Sequence, residues 1–292
     1  MQGLDPIALA LVLGGATLHA TWNLFAKKAS AGLPFVWLYD LVSVLVFAPF
    51  ALLAWRGDGA APGPAAWAAI GCSSLAHQLY ALALQRGYRL GDFSVVYPVA
   101  RGSGPMVTVL AAVLLLGERP APAAWAGIGA ILLGIVLISG LRLRRRAGRG
   151  RTGPGLLWGL LTGGMIATYT LIDGWTMHSL RIEPVTYYVL GLALRAAMLA
   201  PLALRDRPAL AGQWRRNRHA ILIVGLLSPL AYLMVLYAMG RAPLAYVAPA
   251  REISLLIGMV LGALILREAV GPARLLGGVS MLAGVALLAV AR

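Results

Sequence analysis

The chain has 292 residues, 60% of them hydrophobic, with a mean hydropathy of +0.81, which excludes a water-wetted globular surface and places it in a bilayer. Twenty-five Lys and Arg against ten Asp and Glu give a formal charge of +15. These cations sit in the breaks between apolar runs, which argues against a nucleic-acid-binding face and fits loop anchoring at anionic headgroups. Cys72 is the only cysteine, so a disulfide framework and a cysteine metal site are both excluded.

A helix that crosses the hydrocarbon core needs about 20 apolar residues, and ten runs of that kind are predicted. They cover 6–26, 34–55, 65–85, 93–116, 120–141, 153–172, 185–204, 219–239, 243–266 and 271–291. The first is expected to remain as a helix rather than a cleaved signal, because Met1 to Asp5 carry no Lys or Arg. It ends on HisAlaThrTrpAsn at 19–23, with His19 and Asn23 four residues apart on one face and Trp22 beside them. The second run holds Asp40, and the third His77 and Tyr80. The fourth holds Tyr97, Pro98 and Arg101, followed at once by Gly102, Gly104 and Pro105. After the Arg-rich break 142–152, the sixth run carries Thr168, Tyr169, Thr170 and Asp173, the seventh Arg195, and the ninth Tyr246, Pro249, Arg251 and Glu252.

That break divides the runs five and five. Sliding the chain by 150 residues superposes Arg101 on Arg251, Glu118 on Glu268, Gly127 on Gly277 and Gly134 on Gly284, and a shift of 149 places Gly14, Gly15 and Thr21 on Gly163, Gly164 and Thr170. Such ungapped coincidence indicates duplication. An odd number of helices per unit makes the two units cross the membrane in opposite senses. The expected fold is therefore an all-α membrane protein of ten transmembrane helices in two inverted five-helix repeats, 1–141 and 153–292, joined by the Arg-rich loop 142–152. Breaks after odd-numbered runs hold seventeen Lys and Arg, against five on the other side (Arg56, Arg119, Arg181, Arg241 and Arg292), so the positive-inside rule puts the odd breaks in the cytoplasm and both termini outside.

Ionisable groups inside spans cost a few kcal/mol each on insertion scales and mark candidate sites. Five are present: Asp40, Arg101, Arg195, Arg251 and Glu252. Arg101 and Arg251 each lie about eight residues, roughly 12 Å, into their helices, and inverted repeats bring them to a shared axis. Nearby Pro98, Gly102, Gly104, Pro105 and Pro249 are expected to break both helices locally. Three arginines against two carboxylates leave one positive charge unpaired, unless Asp173 at the end of the sixth run joins them, and an anionic substrate, which a planar guanidinium grips in bidentate fashion, would complete the pairing. His19, Trp22, Asn23, Tyr80, Tyr97, Tyr169, Asp173 and Tyr246 are further candidate lining groups, and Glu252 or Asp40 a proton carrier. Glu118 and Glu268 are expected to pair locally with Arg119 and Arg267. No metal, cofactor or catalytic motif is expected, the four histidines showing no ligand spacing.

LeuLeuLeuGlyGluArg at 114–119, its echo LeuIleLeuArgGlu at 264–268, the glycine-rich helix after each, and HisAlaThrTrpAsn with Lys27 and Lys28 beyond it resemble the EamA branch of the drug/metabolite transporter superfamily. That resemblance implies a basket of ten helices around a central cavity and no enzyme, moving metabolites or drugs across an inner membrane. It also implies a monomer or homodimer whose partners are the lipid bilayer and a small-molecule substrate. In the related triose-phosphate translocators basic residues of helices four and nine hold phosphate, and Arg101 and Arg251 fall in those helices. Members commonly keep both termini in the cytoplasm, opposite to the charge count here. The leading expectation is a secondary transporter of a small polar anion or zwitterion working by alternating access. Its competitor is an exporter of neutral or cationic compounds in which the arginines are structural.

Overall fold

A computed structural model describes residues 4–28, 32–58, 62–90, 93–139, 152–267 and 270–291. The Arg-rich loop, apart from Thr152, and Glu268 lie outside the described residues. The first repeat comprises α1 (Pro6–Lys28), α2 (Leu33–Asp58), α3 (Pro64–Leu90), α4 (Phe93–Leu115) and α5 (Pro122–Ser139). The second comprises α6 (Thr152–Trp175), α7 (Pro184–Ala203), α8 (Arg207–Met239), α9 (Leu244–Ala250), α10 (Ser254–Leu266) and α11 (Pro272–Val290), where α9 and α10 form one span interrupted by a 3₁₀ turn, Arg251–Ile253. A short π-helical turn, Thr176–Leu180, prolongs α6.

Nine of these spans are long and apolar enough to cross a membrane on length and hydropathy alone. The tenth, α3, has 27 residues, enough for about 40 Å at 1.5 Å per residue. Its mean hydropathy is lower because one face carries Ser73, Ser74, His77, Gln78 and Tyr80, and its end carries Arg86 and Arg89. Ser73, Ser74, His77, Gln78 and Tyr80 face inward, whereas Arg86 and Arg89 are exposed and the outer surface carries large apolar side chains such as Leu45, Leu53, Leu114 and Leu264, each more than 60% exposed. In water such a surface would aggregate; in hydrocarbon it costs nothing.

Helix starts and stops follow local chemistry. Proline, whose missing N–H is not needed in a first turn, opens α1, α3, α5, α7 and α11. Asp5, Glu183 and Asp206 cap α1, α7 and α8 by accepting the backbone N–H of Ala8, Thr186 and Ala209 at 2.6, 2.7 and 2.9 Å. α4 ends on Gly117 with φ +67°, and α10 ends on Arg267 with φ +55°. These residues are equivalent under the 150-residue repeat, so one left-handed cap is used twice, once with glycine and once with a residue that carries a Cβ. α8 starts at Arg207, twelve residues before its expected apolar run, because the capped segment containing Arg215 and Arg216 is itself helical; it kinks at Asn217 (φ −127°) before the span proper.

The repeats interlock instead of lying side by side. The first helix of each packs against the third of the other, α1 on α8 and α6 on α3, while α5 crosses α11 and α2 crosses α7. At the α5–α11 crossing the contacts are reciprocal. A Cβ on Gly127 would strike the Gly284 carbonyl at 2.8 Å and one on Gly284 the Gly127 carbonyl at 2.6 Å, and Gly134 and Gly277 stand in the same relation. The repeat maps one glycine pair onto the other, which is the signature of a two-fold axis running between the helices. The Ser280 hydroxyl donates to the carbonyl of Ala130, its own repeat-mate, at 2.7 Å on that axis.

Candidate functional site

Between the interlocked helices lies a cavity of about 220 Å³. Of the residues singled out in the sequence, His19, Trp22, Asp40, His77, Tyr80, Arg101, Tyr169, Arg195, Arg251 and Glu252 line it. Four others lie outside its lining. Asn23 donates to the His19 carbonyl at 2.7 Å, and Tyr97 sits beneath Arg101, its ring centroid 5.8 Å from the guanidinium carbon. The Tyr246 hydroxyl accepts the Ala121 N–H at 3.1 Å, tying α9 to the start of α5. Asp173 is fully buried behind the cavity wall.

The two repeat-related arginines reach the cavity from differently built helices. α4 runs unbroken through Pro98 and Pro105, whereas the ninth span tightens to the 3₁₀ turn that starts on Arg251. The missing Pro249 N–H leaves a helical carbonyl without its donor just before that turn. The expected pair of broken helices is thus a single break in the second repeat. It sets Arg251 and Glu252 on the cavity wall with Glu252 only 1% exposed.

The Glu252 carboxylate bridges both arginines, with one oxygen 3.3 Å from Arg101 Nη1 and the other 3.5 Å from Arg251 Nε. His19 Nε2 lies 3.4 Å from Arg101 Nη2. The Trp22 ring meets the His19 ring edge-on at 5.0 Å, and its buried indole N–H has no acceptor among the described residues. Arg251 stands over Tyr169, which stacks on His77 at 3.8 Å; His77 meets Tyr232 edge-on, and Tyr232 leans on Tyr188. Arg195 lies over Tyr188 at 5.3 Å and in the field of Asp40. The cavity therefore has an arginine pole at each end of an aromatic wall, with three guanidiniums and two carboxylates in its lining. Donors outnumber acceptors, and the surplus suits a ligand that brings negative charge.

Sequence reasoning passed over Tyr39, Gln78, Tyr188 and Tyr232, all in the lining. Polar groups spaced at i, i+4 and i+5 on α3 (Ser73, His77, Gln78) were the available signal for that helix. A tyrosine on α7 or α8 reads equally well as an interfacial anchor, so its direction awaited the packing. Glu118 does not act by pairing with Arg119: its two oxygens accept the Leu244 and Ala245 N–H groups at 2.7 and 2.8 Å, capping α9 from the α4–α5 connection.

The model of the EamA-like transporter family matches residues 6–140 and again 153–290, once per repeat. The chain belongs to this family. It is a multi-pass membrane transporter of the drug/metabolite transporter superfamily. No curated protein matches the transporter. A crystal structure of a protein with 20% sequence identity aligns with a TM-score of 0.72, covering 96% of the transporter and 95% of its own chain, a likeness that speaks to the fold alone.

Proposed function

We propose that the transporter carries a small polar metabolite bearing a carboxylate or phosphate, and that Arg101 and Arg251 hold this anionic group. The observation that carries the reading is the Glu252 carboxylate between the two guanidiniums. An internal carboxylate already occupies the place where a ligand carboxylate would sit, so the pair is preorganised for that geometry. A substrate anion shares the arginines with Glu252 or displaces it, and the unpartnered Trp22 N–H adds a donor. Glu252 and Asp40 are the lining carboxylates through which a proton could accompany the substrate. The inverted repeats, 1–141 and 153–292, exchange conformations to open this cavity to either side, which is transport and not catalysis.

The seventeen Lys and Arg in the breaks after odd-numbered runs support a reading in which that side is the cytoplasmic side of an inner membrane. Arg145→Cys in a Cys72→Ser background, unreactive to an impermeant thiol reagent from outside, is the result this orientation requires. Flux of labelled succinate, phosphate and glutamate into proteoliposomes, with glucose as the neutral control, tests the substrate class. Arg101→Gln and Arg251→Gln should each lower anion flux by more than tenfold in folded protein. Unchanged flux in both variants leaves the arginines structural and favours a neutral or cationic cargo.

A further inference from the structure

Asp173 is the buried ionisable group that the reading above leaves idle. It sits near the end of α6 with no exposed surface. Hydroxyls from three other helices converge on it. Ser73 of α3 and Tyr187 of α7 donate to Oδ1 at 2.6 Å each, and Tyr232 of α8 donates to Oδ2. A carboxylate that only accepts, with no guanidinium or ammonium bonded to it among the described residues, is an anion held by dipoles in a dry interior.

Of the three donors only Tyr232 also lines the cavity. Tyr187 is buried, and Ser73 stands behind His77, whose Nδ1–H donates to the Ser73 carbonyl at 2.9 Å and lies 3.4 Å from the Ser73 hydroxyl, so that a path through them takes two residues. The Tyr232 hydroxyl is thus a one-residue bridge between cavity water and a carboxylate that water cannot reach. The titratable and charged groups around Asp173 are His77 from α3, Tyr169 from α6, Tyr187, Tyr188 and Arg195 from α7, and Tyr232 from α8. Thr176 of the π-helical turn touches Tyr187, and Arg251 of the 3₁₀ turn acts through Tyr169.

We propose that Asp173 is a proton-binding site coupled to anion binding, with Tyr232 as the relay between it and the cavity. The proton arrives on the Tyr232 oxygen from cavity water as the Tyr232 proton passes to Asp173 Oδ2. The hydroxyl is left reversed, accepting from the new acid and donating into the cavity, and tyrosine gains no net charge. Protonation removes one negative charge from behind the aromatic wall. The arginine-rich lining then faces a substrate anion with less opposing field, so proton and anion each favour the other by the same factor. The inference rests on the anion reading, and it supplies a reason for inward symport or for exchange.

Two measurements separate the ideas. The first needs no substrate: infrared difference spectra of the purified protein between alkaline and acid pH should show the C=O stretch of a protonated carboxylic acid. Asp173→Asn should erase this band, while Asp40→Asn and Glu252→Gln keep it. A band that survives in Asp173→Asn, or that is absent from the wild type across the whole pH range, overturns the proposal. The second is succinate binding against pH. In the wild type affinity should fall by about tenfold from acid to alkaline pH. Asp173→Asn, which carries the neutral form permanently, should keep the acid-pH affinity throughout, and Tyr187→Phe, which takes one donor from the carboxylate, should keep the pH dependence with its midpoint moved to higher pH. Equal loss of affinity in Asp173→Asn and Tyr187→Phe marks the cluster as structural only and overturns the coupling. If wild-type protein shows the acid band but binds no succinate, phosphate or glutamate, the anion reading fails while the proton site stands.

Discussion

Replacing Glu252 by glutamine removes the one charge that both repeat-related arginines touch, and its effect should have opposite signs on folding and on binding. The carboxylate oxygens lie 3.3 and 3.5 Å from Arg101 and Arg251. Two unit charges at such a distance interact by about 4 kcal/mol at an effective dielectric of about 20. Removing one partner of a buried pair costs about 3–5 kcal/mol, because the remaining charge stays desolvated. The side chains of Arg101 and Arg251 are 19% and 12% exposed to the cavity, so water offsets part of this, and a loss of about 3 kcal/mol in unfolding free energy is expected. The same change frees both guanidiniums for a ligand. Anion affinity should rise on the order of tenfold, about 1.4 kcal/mol. Thermal unfolding of wild type and Glu252→Gln, with and without succinate, reads both quantities at once. An apo variant as stable as wild type, or one that succinate stabilises less than it stabilises wild type, refutes the bridging role.

Three further outcomes follow from packing and caps. At the α5–α11 crossing, Gly284→Ala should lower stability by about 1–3 kcal/mol, because the new Cβ meets the Gly127 carbonyl. Gly129→Ala on the open side of α5 should be neutral or gain up to about 1 kcal/mol, and equal effects in denaturant unfolding would deny the close approach. Arg267→Gly should stabilise by roughly 1 kcal/mol through relief of its left-handed backbone, whereas Gly117→Ala should destabilise by a similar amount; a lower melting temperature for Arg267→Gly would contradict the shared cap. Glu118→Ala strands the Leu244 and Ala245 N–H groups and should cost about 2 kcal/mol, with Glu118→Gln in between, measured by the same unfolding assay.

The protonation of Asp5 offers a check outside the bilayer. The Ala8 N–H it accepts, and then the Arg241 guanidinium, hold its carboxyl below the usual aspartate range. A lowered folded-state value means that this contribution is complete above the unfolded pKa and is lost as pH falls through the folded one. Amide protection factors at the start of α1 should fall in acid in wild type and be low at all pH in Asp5→Ala. A first turn of α1 that is equally protected in Asp5→Ala would show that the cap does not hold it.

Much of the architecture was legible because the bilayer imposes a strong rule. Backbone must be satisfied within the span, so long apolar runs become helices, and the matched Arg, Glu and Gly residues of the halves reveal the repeat. The π-helical turn after α6 and the helical extension before α8 were not legible, since neither is apolar; Asp206 and its cap on Ala209 decide the latter. In the cavity, Asp40, Arg101, Arg195, Arg251 and Glu252 stood out because charge inside a span is rare. Tyr188 and Tyr232 did not, because a tyrosine is tolerated on either face of a membrane helix and only the packing of α7 on α2 and of α8 on α1 turns both inward. The asymmetry between an unbroken α4 and an interrupted α9–α10 was hidden as well. Prolines stand in both helices, and their positions in the sequence do not distinguish the helix that breaks from the one that does not.

The central claim is that Arg101 and Arg251 together form an anion site. Its most direct test is isothermal titration of succinate and of inorganic phosphate into purified wild type, Arg101→Gln, Arg251→Gln and the double variant. The account predicts binding by wild type, a loss of at least tenfold in each single variant, and a double variant little worse than either single one, because the two guanidiniums grip one group. Wild-type affinity retained in Arg101→Gln and Arg251→Gln, with both proteins folded, would contradict it.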